Sequence, residues 1–332
     1  MERLIVIGAS SGGVAALRTL FQGFGDGLDA PVLVVQHVGR HRSLLPELLS
    51  CGDLRVRQAS HGERIERGKY LVAPPDRHLL VEGQFVYLQC GPKEHHTRPA
   101  IDPLFRSAAL AFRERVIGVV LTGAMDDGTA GLQAIKSFGG VAVVQDPADA
   151  AVPDMPRSAL DHCEVDHCVP LAEMGALLRR LASAPVTPRA EPAAADLQRR
   201  IPEHEMALLL DRGDPFEHLN VIGSPSTITC PDCHGVLWAV KGTDPQRYRC
   251  HTGHGFSARS LDAGTRVATE DSVWSCVRSL QERRALLESI RDGERREDHR
   301  ERLATEIEAL RKNTEQLRAL AGEYLANDAP GR

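Results

Sequence analysis

The sequence predicts an α/β protein: a largely parallel sheet with an antiparallel hairpin, then a compact cysteine-bearing segment, then a helical tail. The first observation is the alternation of short apolar runs with amphipathic stretches over residues 1–182. Leu4 to Ile7, Pro31 to Val35, Val116 to Leu121 and Val141 to Val144 read as strands with helical segments between several of them, the order that builds a parallel sheet. The second is the crowding of Lys69 to Ala73, His78 to Glu82 and Gln84 to Gln89. Pro74-Pro75-Asp76 and Gly83 separate them, as in an antiparallel hairpin. The third is a shift to Ala and Pro from Ser183 to Ala195. There Pro185, Pro188 and Pro192 block regular helix, so residues 183–200 are expected to be a linker that closes a first domain over 1–182.

With 332 residues and 42% hydrophobic content, the chain has room for two or three domains. A formal net charge of -5 and a pI near 6.3 give no overall attraction to nucleic acid, so no nucleic-acid partner is expected. The apolar runs near the start are too short for a spanning helix or a signal-peptide core, so a cytoplasmic location without membrane insertion is expected. Cys51, Cys90, Cys163, Cys168 and Cys276 stand mostly alone, while Cys230, Cys233 and Cys250 share one short segment. That distribution reads as metal chemistry rather than disulfides.

The first strand runs into Gly8-Ala9-Ser10-Ser11-Gly12-Gly13, a G-x-S-x-G pattern at a strand-to-helix junction. Glycines permit a sharp turn that exposes the Ser10 hydroxyl, and the backbone N–H groups of Ser11 and Gly12 at the helix start can stabilise an oxyanion. The same kind of turn can cradle a phosphate or be purely structural, although G-x-G-x-x-G and G-x-x-x-x-G-K-[ST] are both missing from it. A serine nucleophile needs a histidine base and an orienting carboxylate. Parallel strands gather reactive groups at their carboxyl ends. The second strand ends in Gln36-His37, and Val116 to Leu121 ends in a glycine-bounded loop with Asp126 and Asp127. A triad of Ser10, His37 and Asp127 is compatible with that topology, the dull alternatives being a surface histidine and an Asp-Gly turn.

These residues resemble the catalytic domain of bacterial chemotaxis protein-glutamate methylesterases across nearly all of residues 1–182. The resemblance rests on Ile7-Gly8-Ala9-Ser10-Ser11-Gly12-Gly13, Val35-Gln36-His37 and Ala73-Pro74-Pro75-Asp76-Arg77-His78. It continues through Arg98-Pro99-Ala100-Ile101-Asp102-Pro103-Leu104-Phe105, Leu121-Thr122-Gly123 with Asp127-Gly128, and Met155-Pro156-Arg157. It implies a doubly wound α/β sheet with an antiparallel hairpin, and a serine esterase that hydrolyses glutamyl methyl esters on methylated chemoreceptors or a related signalling protein, some members also deamidating glutamine. Ser10 is then the nucleophile, His37 the base and Asp127, in preference to Asp126, the orienting acid, with no cofactor needed for catalysis. Full-length members carry an amino-terminal phosphoacceptor receiver domain, whereas this sequence opens on the catalytic strand, so phosphorylation control in cis is expected to be absent. Ala124-Met125 stands where many members have Met then Gly, which bears on substrate preference. Arg98 is weighed as a contact for an acidic receptor surface against a solvated loop charge. A non-catalytic signalling adaptor or scaffold on the same fold is the alternative reading.

Beyond the linker, Cys230-Pro231-Asp232-Cys233 is a C-x-x-C knuckle, and sixteen residues after Cys233 comes Cys250-His251-Thr252-Gly253-His254. Two such pairs around the apolar stretch Val236 to Val240 have the layout of a small zinc ribbon over residues 201–264. Cys230, Cys233, Cys250 and His254 are the expected ligands of one structural zinc, with His251 and His234 as competitors for the last place. A redox C-x-x-C or a metal-free segment is the alternative. Residues 265–326 form a charged, proline-free helical tail. Leu303, Ile307, Leu310, Leu317 and Tyr324 recur there at heptad positions, as in a self-packed helical hairpin or a coiled coil that binds a kinase or regulator. Arg283, Arg284, Arg291, Arg295, Arg296, Arg300 and Arg302 are interleaved with acids, the pattern of a solvated helix rather than a DNA-binding face.

Overall fold

The structure is a computed structural model that describes residues 3–25, 27–39, 42–186 and 197–327, with side chains described as far as residue 322. Pro188, Pro192 and the Tyr324 side chain lie outside the described residues. The chain separates into two compact units, Met1–Leu261 and Asp262–Arg332.

In the first unit, β1 (Leu4–Ala9), α1 (Gly13–Gln22), β2 (Val32–Gln36), α2 (Leu45–Leu49), β3 (Val56–Gln58) and β4 (Tyr70–Val72) come first. A hairpin of β5 (His78–Glu82) and β6 (Phe85–Gln89) precedes α3 (Ile101–Phe112), β7 (Val116–Val120), α4 (Thr129–Ser137), β8 (Val141–Gln145), α5 (Asp154–His162), β9 (His167–Val169) and α6 (Leu171–Ser183). Seven of these strands make one sheet in the order β3-β4-β2-β1-β7-β8-β9, every pair parallel. Its central strands are apolar on both faces because both are covered. Leu4 and Val6 of β1 pack toward α3 and α4, while Ile5, Ile7 and Ala9 pack toward α1 and α6.

One element departs from expectation. The Lys69 to Ala73 run is not part of the hairpin: its Tyr70–Val72 core is β4, parallel to both β2 and β3, and only β5 and β6 pair antiparallel. Tyr70, Leu71 and Val72 are all buried, the signature of an interior parallel strand rather than of a half-solvated hairpin.

After the linker come α7 (Leu197–Leu209), α8 (Pro215–Ile222) and a second sheet of β10 (Gly223–Thr229), β11 (Val236–Val240), β12 (Arg247–Cys250) and β13 (Gly255–Ser257), antiparallel throughout. Asp214 starts α8 by accepting the Phe216 N–H at 2.8 Å with Pro215 in the first turn. Ile201, Leu208, Leu219, Ile222, Trp238 and Val240 form the core between these helices and the sheet. This segment belongs to the same unit as the parallel sheet. The joint is a buried ion cluster: Arg106 of α3 and Glu94 meet Glu205 of α7 and Arg247 and Arg249 of β12. Arg249 donates to both Glu94 (2.8 Å) and Glu205 (2.9 Å), and Arg247 donates to Glu205 at 2.9 Å.

The helix α9 (Ala258–Gly293) begins at the end of β13, and α10 (Glu297–Asn327) follows it. Within the second unit Val277, Leu303, Ile307 and Leu310 are buried, Leu317 is half-buried, and Arg283 pairs with Glu306. Among the described residues no helix is long and apolar enough to cross a membrane.

Candidate active site

The register of the sheet assembles the site. Ala9 of β1 lies opposite Gln36 of β2, so the next residues, Ser10 and His37, leave adjacent strands side by side at their carboxyl ends. Three contacts fix the turn at Ser10. Its N–H donates to Thr122 O (3.0 Å), its carbonyl accepts the Gln36 amide (2.8 Å), and the Thr122 hydroxyl donates to Ser11 O (2.9 Å). Gly12 then adopts φ 78, where a Cβ would also meet the Ala151 Cβ at 2.8 Å, so only glycine fits before α1 starts. The N–H groups of Ser11 and Gly12 sit at that helix start, where the first donors lack intrahelical acceptors.

Ser10 Oγ is 3.0 Å from His37 Nδ1, and His37 Nε2 is 2.7 Å from Asp127 Oδ2. With Nε2–H donating to the carboxylate, Nδ1 is left as the acceptor of the serine hydroxyl proton. Ser10 and His37 are half-buried, whereas Asp127 is almost wholly enclosed. Asp127 also takes the Ile101 N–H (2.7 Å) and the Asp102 N–H (3.0 Å) at the start of α3. Asp102 in turn takes the N–H groups of Gly128 (3.0 Å) and Gly131 (2.7 Å) at the start of α4. Burial works to push the Asp127 carboxyl up. The charge of His95, the hydrogen bond and charge of His37 and the Ile101 N–H outweigh it, holding the group well below the usual carboxylate range.

The pattern of the CheB methylesterase family matches residues 5–178, just over half of the chain. The chain belongs to the CheB methylesterase family. A Leptospira interrogans protein is 38% identical over 183 residues, spanning 53% of this chain and 93% of that protein. A protein named protein-glutamate methylesterase/protein-glutamine glutaminase 2 from Anaeromyxobacter dehalogenans is 39% identical over 180 residues, 53% of its own length. Among solved structures, the Thermotoga maritima CheB methylesterase catalytic domain matches 55% of this chain and 99% of its own. The TM-score is 0.53 and the identity 31%.

Around this CheB-family core, the acidic loop is more occupied than the sequence suggested. Asp126 is buried and lies 3.8 Å from His95 Nδ1, while His95 Nε2 is 3.0 Å from Asp102 and 3.8 Å from Asp127. Burial opposes a charge on His95. The charge of Asp127, the hydrogen bond to Asp102 and the charges of Asp102 and Asp126 outweigh it, pushing it up to about 10. Sequence reasoning passed over His95. The one available signal was a His95-His96 doublet directly ahead of the Thr97-Arg98-Pro99 stretch. Arg98 is not a free loop charge: it donates to Asp76 (2.8 Å) and to the Cys90 and Gly91 carbonyls. Ala124 is exposed and Met125 half-buried at φ 67, in the loop that carries Asp127.

A second cluster lies in the antiparallel sheet. The ligand atoms of Cys230, Cys233, Cys250 and His254 all fall within 4.8 Å of one another. Cys233 Sγ is 3.7 Å from Cys250 Sγ, which is 3.5 Å from His254 Nδ1. A tetrahedral ion with Zn–S near 2.3 Å separates its sulfurs by about 3.8 Å, so this donor set fits zinc. Asp232 lies 3.9 Å from His254 Nε2, in the place of an orienting carboxylate. His251 stacks on Phe216 with ring centroids 5.5 Å apart, and neither it nor His234 joins the cluster.

Proposed function

We propose that this chain is a protein-glutamate methylesterase that hydrolyses glutamyl methyl esters on a chemoreceptor or related signalling protein, and that it deamidates glutamine by the same route. The observation that carries the reading is the continuous chain of short contacts from Ser10 Oγ through both nitrogens of His37 to Asp127. His37 Nδ1 takes the Ser10 proton as Oγ attacks the ester carbonyl, and the carboxylate of Asp127 stabilises the imidazolium that forms. The N–H groups of Ser11 and Gly12 face the developing oxyanion. The tetrahedral species collapses, and His37 returns its proton to the leaving oxygen. Methanol departs, leaving an acyl-enzyme. Water, deprotonated by His37, attacks the same carbonyl; Ser10 leaves with the proton, and the glutamate side chain is free. A glutamine substrate releases ammonia at the first step.

In this reading residues 1–182 supply the chemistry in the cytoplasm, with a linker between α6 and α7, a zinc-bearing segment from α7 through β13 and a helical tail of α9 and α10. Cys230, Cys233, Cys250 and His254 would hold one zinc, which closes a loop of the second sheet and leaves no coordination position for substrate. The test is methanol release from methylated receptor membranes by the full chain and by Ser10→Ala. Release by the wild type that vanishes in the variant is the expected result. Equal release by both would remove Ser10 from the mechanism.

A further inference from the structure

The segment from Lys93 to Thr97 lies between the triad and the second sheet. His95 N–H donates to Gly255 O (2.9 Å), and Glu94 forms a parallel bridge with Gly255. His95 and His96 both stand at positive φ, 49 and 61, a conformation that bulky residues keep only when their surroundings enforce it. The enforcing groups come from the start of α9. Ser260 Oγ is 3.1 Å from His95 Nδ1, and Ser260 O is 2.9 Å from His96 Nε2. Ser260 itself has no exposed surface.

We propose that His95, seated by Ser260, is a positioning residue for the esterase: it holds the Asp127 carboxylate ionised and in register with His37. The proposal rests on the reading of Ser10, His37 and Asp127 as the triad. It assigns to the segment after the linker a direct part in setting the rate.

The carboxylates around the ring favour a cation. Nε2 lies 3.0 Å from Asp102 Oδ2, so it carries a proton and donates. Nδ1 lies 3.8 Å from Asp126 Oδ1 and 3.1 Å from Ser260 Oγ, which is itself held by the Ser257 N–H (2.9 Å), the Ser257 hydroxyl (3.1 Å) and Ser257 O (3.2 Å). A proton on Nδ1 as well gives the ring a full positive charge between acids on both sides. The charge has work to do there. Asp102 and Asp127 face the same nitrogen, Asp126 faces the other, and all three are enclosed.

Carboxylates crowded into one buried site cannot all remain ionised without a cation; one takes up a proton. Asp127 in its protonated form could not stabilise a charged His37. Among the described residues, the guanidinium groups of Arg106 and Arg249 are engaged by Glu94 and Glu205, and that of Arg247 by Glu205. Ser260, which the start of α9 sets against the ring, is neutral, and so is Ser257, which holds Ser260 in place.

The experiment compares the full-length wild type with His95→Gln, Ser260→Ala and Ser10→Ala, each checked for folding by its melt and by its metal content. It measures methanol release from methylated receptor membranes across pH. His95→Gln is expected to lower kcat by about 100-fold, the scale of a slightly misplaced catalytic group, with KM unchanged. The acid limb of its kcat/KM profile moves to higher pH, since the carboxylate site now holds a proton more tightly. Ser260→Ala shifts both quantities the same way by a smaller factor. A folded His95→Gln with wild-type kcat and an unmoved acid limb overturns the proposal. If His95→Gln fails to fold, an unmoved limb in Ser260→Ala overturns it. Activity retained in Ser10→Ala removes the triad and takes the proposal with it, whereas a silent Ser10→Ala beside a normal His95→Gln removes the proposal alone.

Discussion

Asp102 and Asp127 cap each other's helices. Asp127 accepts two N–H groups from the start of α3, where Asp102 stands, and Asp102 accepts two from the start of α4, just after Asp127. Each carboxylate lies against the positive end of a helix dipole, which stabilises its charge. The acid beside His37 is therefore part of a two-helix lock rather than the tip of a loop. Asp102→Ala is expected to leave two buried N–H groups without acceptors and to take away the partner of His95. That costs about 3 kcal/mol, a fall of roughly 6–12 °C in melting temperature. A thermal melt within 2 °C or so of wild type would show the lock to be slack.

Gly123 forms the floor under Ser10. A Cβ there would lie 2.1 Å from Met155 Sδ and 2.8 Å from the Ser10 Cβ. The methionine tip can swing aside, but Ser10 is tied by its backbone on both sides. Gly123→Ala should therefore cost only about 1–3 kcal/mol of stability yet lower kcat by more than about tenfold through displacement of Oγ. Wild-type kcat in this variant, measured by methanol release, would count against the tight placement of Ser10.

Metal analysis of the freshly purified chain should give about one zinc per molecule, and Cys233→Ser should lose it. Because ion binding is coupled to folding, chelation should speed hydrogen exchange in residues 223–257 before the parallel sheet is affected. Simultaneous exchange of both sheets would mean that the ion cluster at Glu205, rather than the metal, holds the segment together.

The two buried ionic groups give opposite pH limits. Burial acts against the Glu205 charge, but Arg247, Arg106 and Arg249 outweigh it and hold the group down at about 2, below its ordinary 4.5. Its contribution is complete above about pH 4.5 and disappears as the pH falls toward 2. His95, raised to about 10 from 6.5, contributes fully below about pH 6.5 and is lost as the pH climbs through 10. Melting temperature should thus decline at both ends, with the alkaline decline flattened in His95→Gln and the acid one in Glu205→Gln. Unchanged slopes in these variants would assign the pH dependence to other groups.

The central strands, the turn at Ser10 and the cysteine knuckle were legible because each depends on local pattern: continuous apolar runs, glycine spacing and ligand spacing. The edge strands Val56–Gln58 and His167–Val169 were not. Each has three residues, and only Val56 among them is buried, too little apolar signal to stand out. Glu205 was invisible for the opposite reason. A glutamate among charged neighbours on a helix reads as solvated, and its arginines come from β12 and α3. The position of His95 depends on Ser260, 165 residues away, and no local pattern carries a contact of that span.

The bridge between Glu94 and Gly255 also has a meaning for the order in which the molecule is made. A ribosome that has released residues 1–183 has already delivered Ser10, His37 and Asp127, together with every strand of the parallel sheet. It has not yet delivered Glu205, Arg249 or Ser260. Until they emerge, Arg106 lacks one of its two carboxylates and His95 lacks its seat. The nascent catalytic domain is thus complete in sequence before it is complete in structure, and its last fitting arrives 250 positions after Ser10.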